Sequence, residues 1–172
     1  MEVGPPPRLR RPEAADAAVV ASWSRSADEA RRWCSLAVHP FPPSEVISWW
    51  GAADVDPQVL LVGEEGRPDA YGELWLDEQE NEVELARIIV RPARRRAGLG
   101  RELVTRLVEE ARATGLRDCF LRVAPDNSAA LGLYRSCGFV DVEEERSRAW
   151  NESQPRQFVW LERVDFGGSP RD

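Results

Sequence analysis

Arg95-Arg96-Ala97-Gly98-Leu99-Gly100 is the run whose residue types and spacing point most directly to chemistry. It stands between a strand pattern over Glu82 to Arg91 and a helix pattern in which Leu99, Leu103, Leu107 and Ala111 recur every four residues, with Val104 and Val108 beside them. That recurrence predicts an amphipathic helix, ended by Gly115. A helix N-terminus offers unpaired N–H groups and the positive end of a dipole, so it suits a phosphate or pyrophosphate. Glycines at 98 and 100 remove Cβ atoms where such a ligand must approach the backbone. Arg95 and Arg96 add mobile positive charge at the rim. Two other phosphate-binding patterns fail. A dinucleotide fingerprint needs a third glycine where Leu103 stands, and Asp118 precedes its strand instead of ending it. A Walker loop needs Gly-Lys-Ser/Thr, which does not occur.

Charge is unevenly spread around this run. From Glu64 to Glu84 acids dominate and Arg67 is the only base, whereas Arg87 to Arg101 holds six arginines and no acid. The chain as a whole carries a formal net charge of -7, which argues against a general affinity for nucleic acid or anionic membrane. Cys34, Cys119 and Cys137 are too scattered for a disulfide framework and form no CxxC pair, so a reduced cytoplasmic setting and no metal are expected. His39, beside Pro40 and Phe41, reads as a packed loop histidine ahead of a base. Trp33, Phe41, Trp49 and Trp50 form either a satellite core or an apolar wall for a substrate.

The elements that position these residues follow from their patterns. With 172 residues, 42% hydrophobic and 31% charged, the composition fits one soluble domain, expected over residues 8–164 between a loose leader (1–7) and a loose tail (165–172). The start lacks the basic and apolar regions of a secretory signal, and no apolar run approaches the roughly 20 residues of a membrane span. Leu9 to Arg11 predicts a short strand, followed by helices over Ala14–Trp23, Ala27–Cys34 and Ser44–Trp50. Strands are expected over Gln58–Gly63, Ala70–Leu76 and Glu82–Arg91, joined as an antiparallel meander. After the amphipathic helix come a strand (Cys119–Val123), a helix (Ser128–Ser136) and two closing strands, Phe139–Arg146 and Gln157–Val164. The outcome is an α+β fold: a mixed, mostly antiparallel sheet of about six to seven strands flanked by helices.

Two blocks in this order resemble the GNAT superfamily of N-acetyltransferases. The first, Glu84 to Gly100, is similar to its strand, Q/R-x-x-G-x-G/A and helix signature; the second is Asn127-Ser-Ala-Ala-Leu-Gly-Leu-Tyr134-Arg-Ser-Cys-Gly138-Phe139. The resemblance implies acetyl-CoA as cosubstrate. Its pantetheine arm would pair with the strand at Ile88, Ile89 and Val90, which splays from the next strand. Its pyrophosphate would sit on Arg95, Arg96, Ala97, Gly98, Leu99, Gly100 and Arg101. Asn127 would contact pantetheine or cap its helix.

For catalysis the resemblance implies Tyr134 as general acid toward the departing thiolate, with a core aromatic as the alternative. Glu84 occupies the strand position of a general base, with Glu82 two residues away, or an ordered water, as rivals. Members that acetylate ribosomal-protein N-termini can carry a glutamate twelve residues before the tyrosine; Arg122 stands there. The activity implied is direct acetyl transfer to a primary amine of a small molecule or peptide. The alternatives are a protein N-terminal or lysine acetyltransferase, and a non-catalytic acyl-CoA-binding module. The acid-rich stretch Asp77 to Glu84 suggests a cationic acceptor. Which amine is used, and whether the chain forms a homodimer, stays open at this level.

Overall fold

The computed structural model of the chain describes residues 5–63 and 65–167. The outer parts of the expected leader and tail, residues 1–4 and 168–172, lie outside this range. In chain order the elements are β1 (Arg8–Arg10), α1 (Asp16–Ala21), α2 (Ala27–Cys34), α3 (Pro43–Trp49), β2 (Val55–Leu61), β3 (Pro68–Asp77), β4 (Glu82–Val90), a 3₁₀ turn (Pro92–Arg94), α4 (Leu99–Ala113), β5 (Asp118–Val123), α5 (Ser128–Ser136), β6 (Val140–Asp141), α6 (Glu144–Glu152) and β7 (Val159–Glu162).

The strands form one seven-stranded sheet in the order β1-β2-β3-β4-β5-β7-β6. All neighbours are antiparallel except β4 and β5, which α4 joins as a crossover. Side chains of a strand alternate between faces, and both faces of this sheet are covered. Leu60, Leu74, Val83, Leu85 and Leu121 pack with Leu103, Leu107 and Ala111 of α4. Val59, Leu61, Tyr71 and Ile89 pack with Ala17 and Val20 of α1 and with Val46 and Trp49 of α3. Pro57 falls inside β2, earlier than the strand expected there, but beyond the stretch that β1 covers; a residue without an N–H is tolerated at such an edge.

The second closing strand is present, but the first is not. Only Val140–Asp141 is extended, and residues 144–152 form α6. The Glu143 carboxylate accepts from the N–H groups of Glu145 and Arg146, which caps the helix, and Glu144 and Glu145 favour its positive end. Trp150 then packs edge-on against Phe120 and Trp160, with centroids 4.9 and 5.0 Å away. Buried Asn151 accepts from the Phe158 N–H and Trp160 Nε1 and donates to the Phe158 carbonyl. Phe166, placed in the tail by sequence, is buried beside Arg112 of α4.

Gly72 sits at the tightest point of the sheet. A Cβ there would lie 2.7 Å from Leu107 Cδ1 and 3.3 Å from Ile88 Cγ1, and Leu107 is fully buried. Gly72→Val should therefore cost about 1–3 kcal/mol through overpacking. Chemical denaturation should register this as a lower midpoint with the slope retained; an unshifted midpoint would mean that α4 yields freely.

Candidate active site

The site begins with an irregularity in β4. Tyr71 pairs with Ile89 and Glu73 with Ala86, so Arg87 and Ile88 together oppose Gly72. One extra residue makes a bulge, and Arg87 takes φ +47°, in the left-handed region. The bulge reverses the parity of the strand: Val83 and Leu85 face α4 before it, Ile88 and Val90 after it.

Glu73, with no exposed surface, holds this geometry. Its carboxylate accepts from Arg87 Nη1 at 2.8 Å, from Trp75 Nε1 at 2.6 Å and from the Tyr71 hydroxyl. The Arg87 guanidinium lies 4.0 Å from the Trp49 ring centroid and 4.9 Å from that of Trp75. On the open side, Trp33 Nε1 donates to the Arg87 carbonyl at 2.7 Å.

β4 leaves β5 just ahead of the bulge. The two pair only from Glu82 to Glu84 against Asp118 to Phe120, and β5 pairs onward with β7. Residues 85–90 have no partner strand on the β5 side, and a cleft of about 1240 Å³ opens there. The Arg91 N–H bonds to the Asp69 carbonyl, so by alternation Ile89 turns its backbone groups to β3, while Ile88 and Val90 turn theirs to the cleft. Of the three strand residues expected to meet pantetheine, two thus face the open side.

At one end of the cleft stands the N-terminus of α4. Gly98 is its N-cap at φ +80°, with no side-chain cap, and the first backbone bond of the helix reaches Gly98 from Glu102. The N–H groups of the first turn are left to a ligand. Gly98 and Gly100 differ in purpose. A Cβ at Gly98 would meet nothing within 4 Å, whereas one at Gly100 would lie 2.9 Å from Leu133 Cδ2. Gly100 serves the close approach of α4 to α5, while Gly98 keeps the turn open. Ala97 and Leu99 do not line the cleft, and Leu99 is buried.

The arginines of this turn divide likewise. Arg95 is not mobile: it pairs with Glu29 and donates to the carbonyls of Val90 and Trp23. Arg96 is exposed, at φ +61°, and without a partner among the described residues. Arg101 donates to the Ser136 carbonyl at the end of α5 and also lines the cleft.

Glu84 and Tyr134 both reach the cleft; Glu82 does not. Burial pushes the Glu84 carboxyl up to about 7, against the opposing pull of Arg122, whose Nε lies 2.8 Å away. Arg122, noted in the sequence only as a departure, is thus the partner of the base candidate. It also donates to Gln154 and stacks on Trp75, Phe158 and Trp160. Tyr134 is buried edge-on to Phe139, so it is a core aromatic and a cleft residue at once. Burial raises its hydroxyl above the ordinary tyrosine value, so it keeps its proton at neutral pH. Asn127 lines the cleft and caps α5 by accepting from the Ala130 N–H.

Other sequence expectations fall elsewhere. His39 is exposed, not packed. Phe41 and Trp49 are core, with Trp33 packed between them and the cleft. Of the acid-rich stretch Asp77 to Glu84, only Glu84 lines the cleft, and it is paired with Arg122. Gln154, Arg156 and Phe158, which follow the unanticipated α6, do line it.

The open space around Gly98 leads to a clean test of the turn. Gly98→Val should leave the core intact, at a local backbone cost of about 1–3 kcal/mol, and weaken CoA binding by about tenfold or more as the side chain fills the approach. Calorimetry on the folded variant showing wild-type affinity would remove α4's N-terminus from the binding site.

Comparisons with known proteins identify the family and the fold. Residues 23–139 match the Acetyltransferase (GNAT) family. The IAA acetyltransferase of Azospirillum brasilense is 28% identical over 104 residues, 60% of this chain and 68% of that protein. The [ribosomal protein bS18]-alanine N-acetyltransferase of Escherichia coli strain K12 is 37% identical over 67 residues; these are 39% of this chain and 45% of that enzyme, less than half its length. Spermidine N-acetyltransferase from Vibrio cholerae, solved with CoA and spermine, shares the fold with a TM-score of 0.70 at 17% identity, covering 93% of this chain and 97% of its own. Since the family match takes in the bulged strand, the uncapped turn and both helices behind it, the chain belongs to the GNAT acetyltransferases, enzymes that draw on acetyl-CoA.

Proposed function

We propose that this protein transfers an acetyl group directly from acetyl-CoA to a primary amine, with Glu84 taking a proton and Tyr134 supplying one. The observation that carries this reading is that both side chains line one cleft, a carboxyl raised to about 7, where it can take up and lose a proton, and a phenol that keeps its proton. Acetyl-CoA supplies the thioester. The cleft fits it: the first turn of α4 and Arg96 would hold the diphosphate, and the open edge at Ile88 and the Val90 N–H would bond to the pantetheine arm, the Val90 carbonyl already accepting from Arg95. Asn127 stands on the same wall. The free cysteines accord with a reduced, cytoplasmic setting.

An ammonium has no lone pair, so the acceptor must first lose a proton to Glu84, directly or through one water. The amine nitrogen then bonds to the acyl carbon as the carbon–sulfur bond breaks, and the Tyr134 hydroxyl donates its proton to the departing sulfur. After attack the nitrogen carries one proton too many; that proton passes to the Tyr134 phenolate and restores the phenol, and Glu84 releases the first proton to solvent. N–H groups on the open side of β4 would stabilise charge on the acyl oxygen. Thiol release from acetyl-CoA across an amine panel tests the whole reading. Binding without release, for every amine, would leave a non-catalytic acyl-CoA module.

Two variants separate the roles. Glu84 works as a base only when ionised, and its pKa is raised, so activity should rise with pH through about 7 and fall away below it. Glu84→Gln should abolish that acidic limb and lower the plateau; a limb that survives belongs to another group. Tyr134→Phe keeps the ring and its packing but removes the proton. In an assay limited by chemistry, kcat should fall about 10²- to 10⁴-fold with melting temperature and acetyl-CoA affinity nearly unchanged. Wild-type kcat in that variant would reduce Tyr134 to a core residue.

A further inference from the structure

The arginines of the cleft do not all have work. Among the described residues eight arginines but only two acids, Glu29 and Glu84, line it, although the chain as a whole is acidic. Both acids are already engaged, Glu29 by Arg25 and Arg95 and Glu84 by Arg122. Arg87 is neutralised by Glu73 and Arg32 by Asp126. Three arginines remain without a carboxylate partner: Arg96, Arg101 and Arg156. The first two stand at the N-terminus of α4, where a diphosphate accounts for them. Arg156 stands elsewhere.

Its surroundings place it at the acceptor end. Arg156 and Arg122 stack on the same ring, Phe158, with guanidinium carbons 4.9 and 5.4 Å from the centroid. Arg122 in turn touches Glu84 at 2.8 Å. A line of contacts therefore runs from the base candidate through Arg122 and Phe158 to Arg156. Arg156 Nη2 donates to the Arg31 carbonyl and the Ser35 hydroxyl, which ties it to the end of α2, and its buried Nε has no acceptor. Burial and the nearby Arg31 charge both disfavour its charged form, with Asp126 acting the other way. Arg156 is half-buried, and its buried Nε–H is left without an acceptor on the cleft wall; a carboxylate ligand would supply both that acceptor and a counter-charge.

We infer that the acceptor is a primary amine that also carries a carboxylate, such as an amino acid or a short peptide, with its amine at Glu84 and its carboxylate against Arg156. The inference rests on the acetyl-transfer reading and narrows it. Polyamines are disfavoured by the same charges that attract a carboxylate.

The test uses the full chain, acetyl-CoA and thiol release, with free amino acids compared against their carboxamides, and with spermidine included. The acids should be preferred over the carboxamides by about 10- to 100-fold in kcat/KM, the worth of a charged hydrogen bond. Arg156→Gln should bring that ratio close to one, and Arg156→Lys should retain part of it. Carboxamides or spermidine turned over as well as the acids would overturn the inference while leaving acetyl transfer standing. So would an Arg156→Gln enzyme slowed equally on both members of each pair, since that is the mark of a structural role. If Arg156→Gln proves unfolded by its melting curve, the wild-type ratio and Arg156→Lys decide. Release with no amine at all would remove both readings together.

Discussion

A single buried carboxylate governs the shape of the site. Glu73 has no access to water, and an isolated charge there would cost several kcal/mol. It is retained because three donors from three residues converge on it, and the strongest of them is Arg87. The same arginine occupies the extra position of the β4 bulge with a left-handed backbone. The ion pair therefore fixes a main-chain conformation that an arginine would not choose by itself. Trp49 and Trp75 enclose the guanidinium, and Trp33 ties down the carbonyl on the other side. The clamp sits where β4 shifts register opposite Gly72.

The register shift falls within the part of β4 that borders the cleft. Pairing with β5 ends at Glu84, so the edge of β4 facing β5 is not closed by ladder hydrogen bonds beyond it. After the bulge the strand stays bonded to β3 on one side but runs free on the other, so backbone donors and acceptors become available to a ligand. The parity change keeps Ile88 and Val90 packed toward α4, so the sheet loses no core contact by bending. α4 then starts at the mouth of the gap with its first turn uncapped, which brings two kinds of backbone site into one cavity.

Charge follows the same division. The acids of the chain lie mostly outside the cleft, and those inside are paired with arginines. Glu84 illustrates the balance: burial raises its pKa, Arg122 opposes the rise, and the outcome is a carboxyl that titrates near neutrality. Burial favours the protonated form and Arg122 the ionised form, so the two act against each other on the same carboxyl.

Periodic segments were legible in the sequence because one element determines them. The helices over 27–34 and 128–136 lie where their caps and spacing place them, and the turn before α4 is uncapped because Gly98 can adopt a left-handed conformation. The fold class follows from the order of such elements. Even the bulge left a trace, since the apolar residues Val83, Leu85, Ile88 and Val90 break alternation once. Other features depended on contacts between distant residues. The strand expected through Arg146 became α6 because Trp150 and Asn151 could be satisfied only against Phe120, Phe158 and Trp160. Arg95, which reads as a free cation, is bound to Glu29 and to carbonyls on two other segments. Arg156 is brought to the same ring as Arg122 from 34 positions away. Local pattern thus decided most of the helices and the uncapped turn before α4. Only tertiary structure decided which charges are already spent, because neutralisation depends on distances in space and a sequence records only distances along the chain.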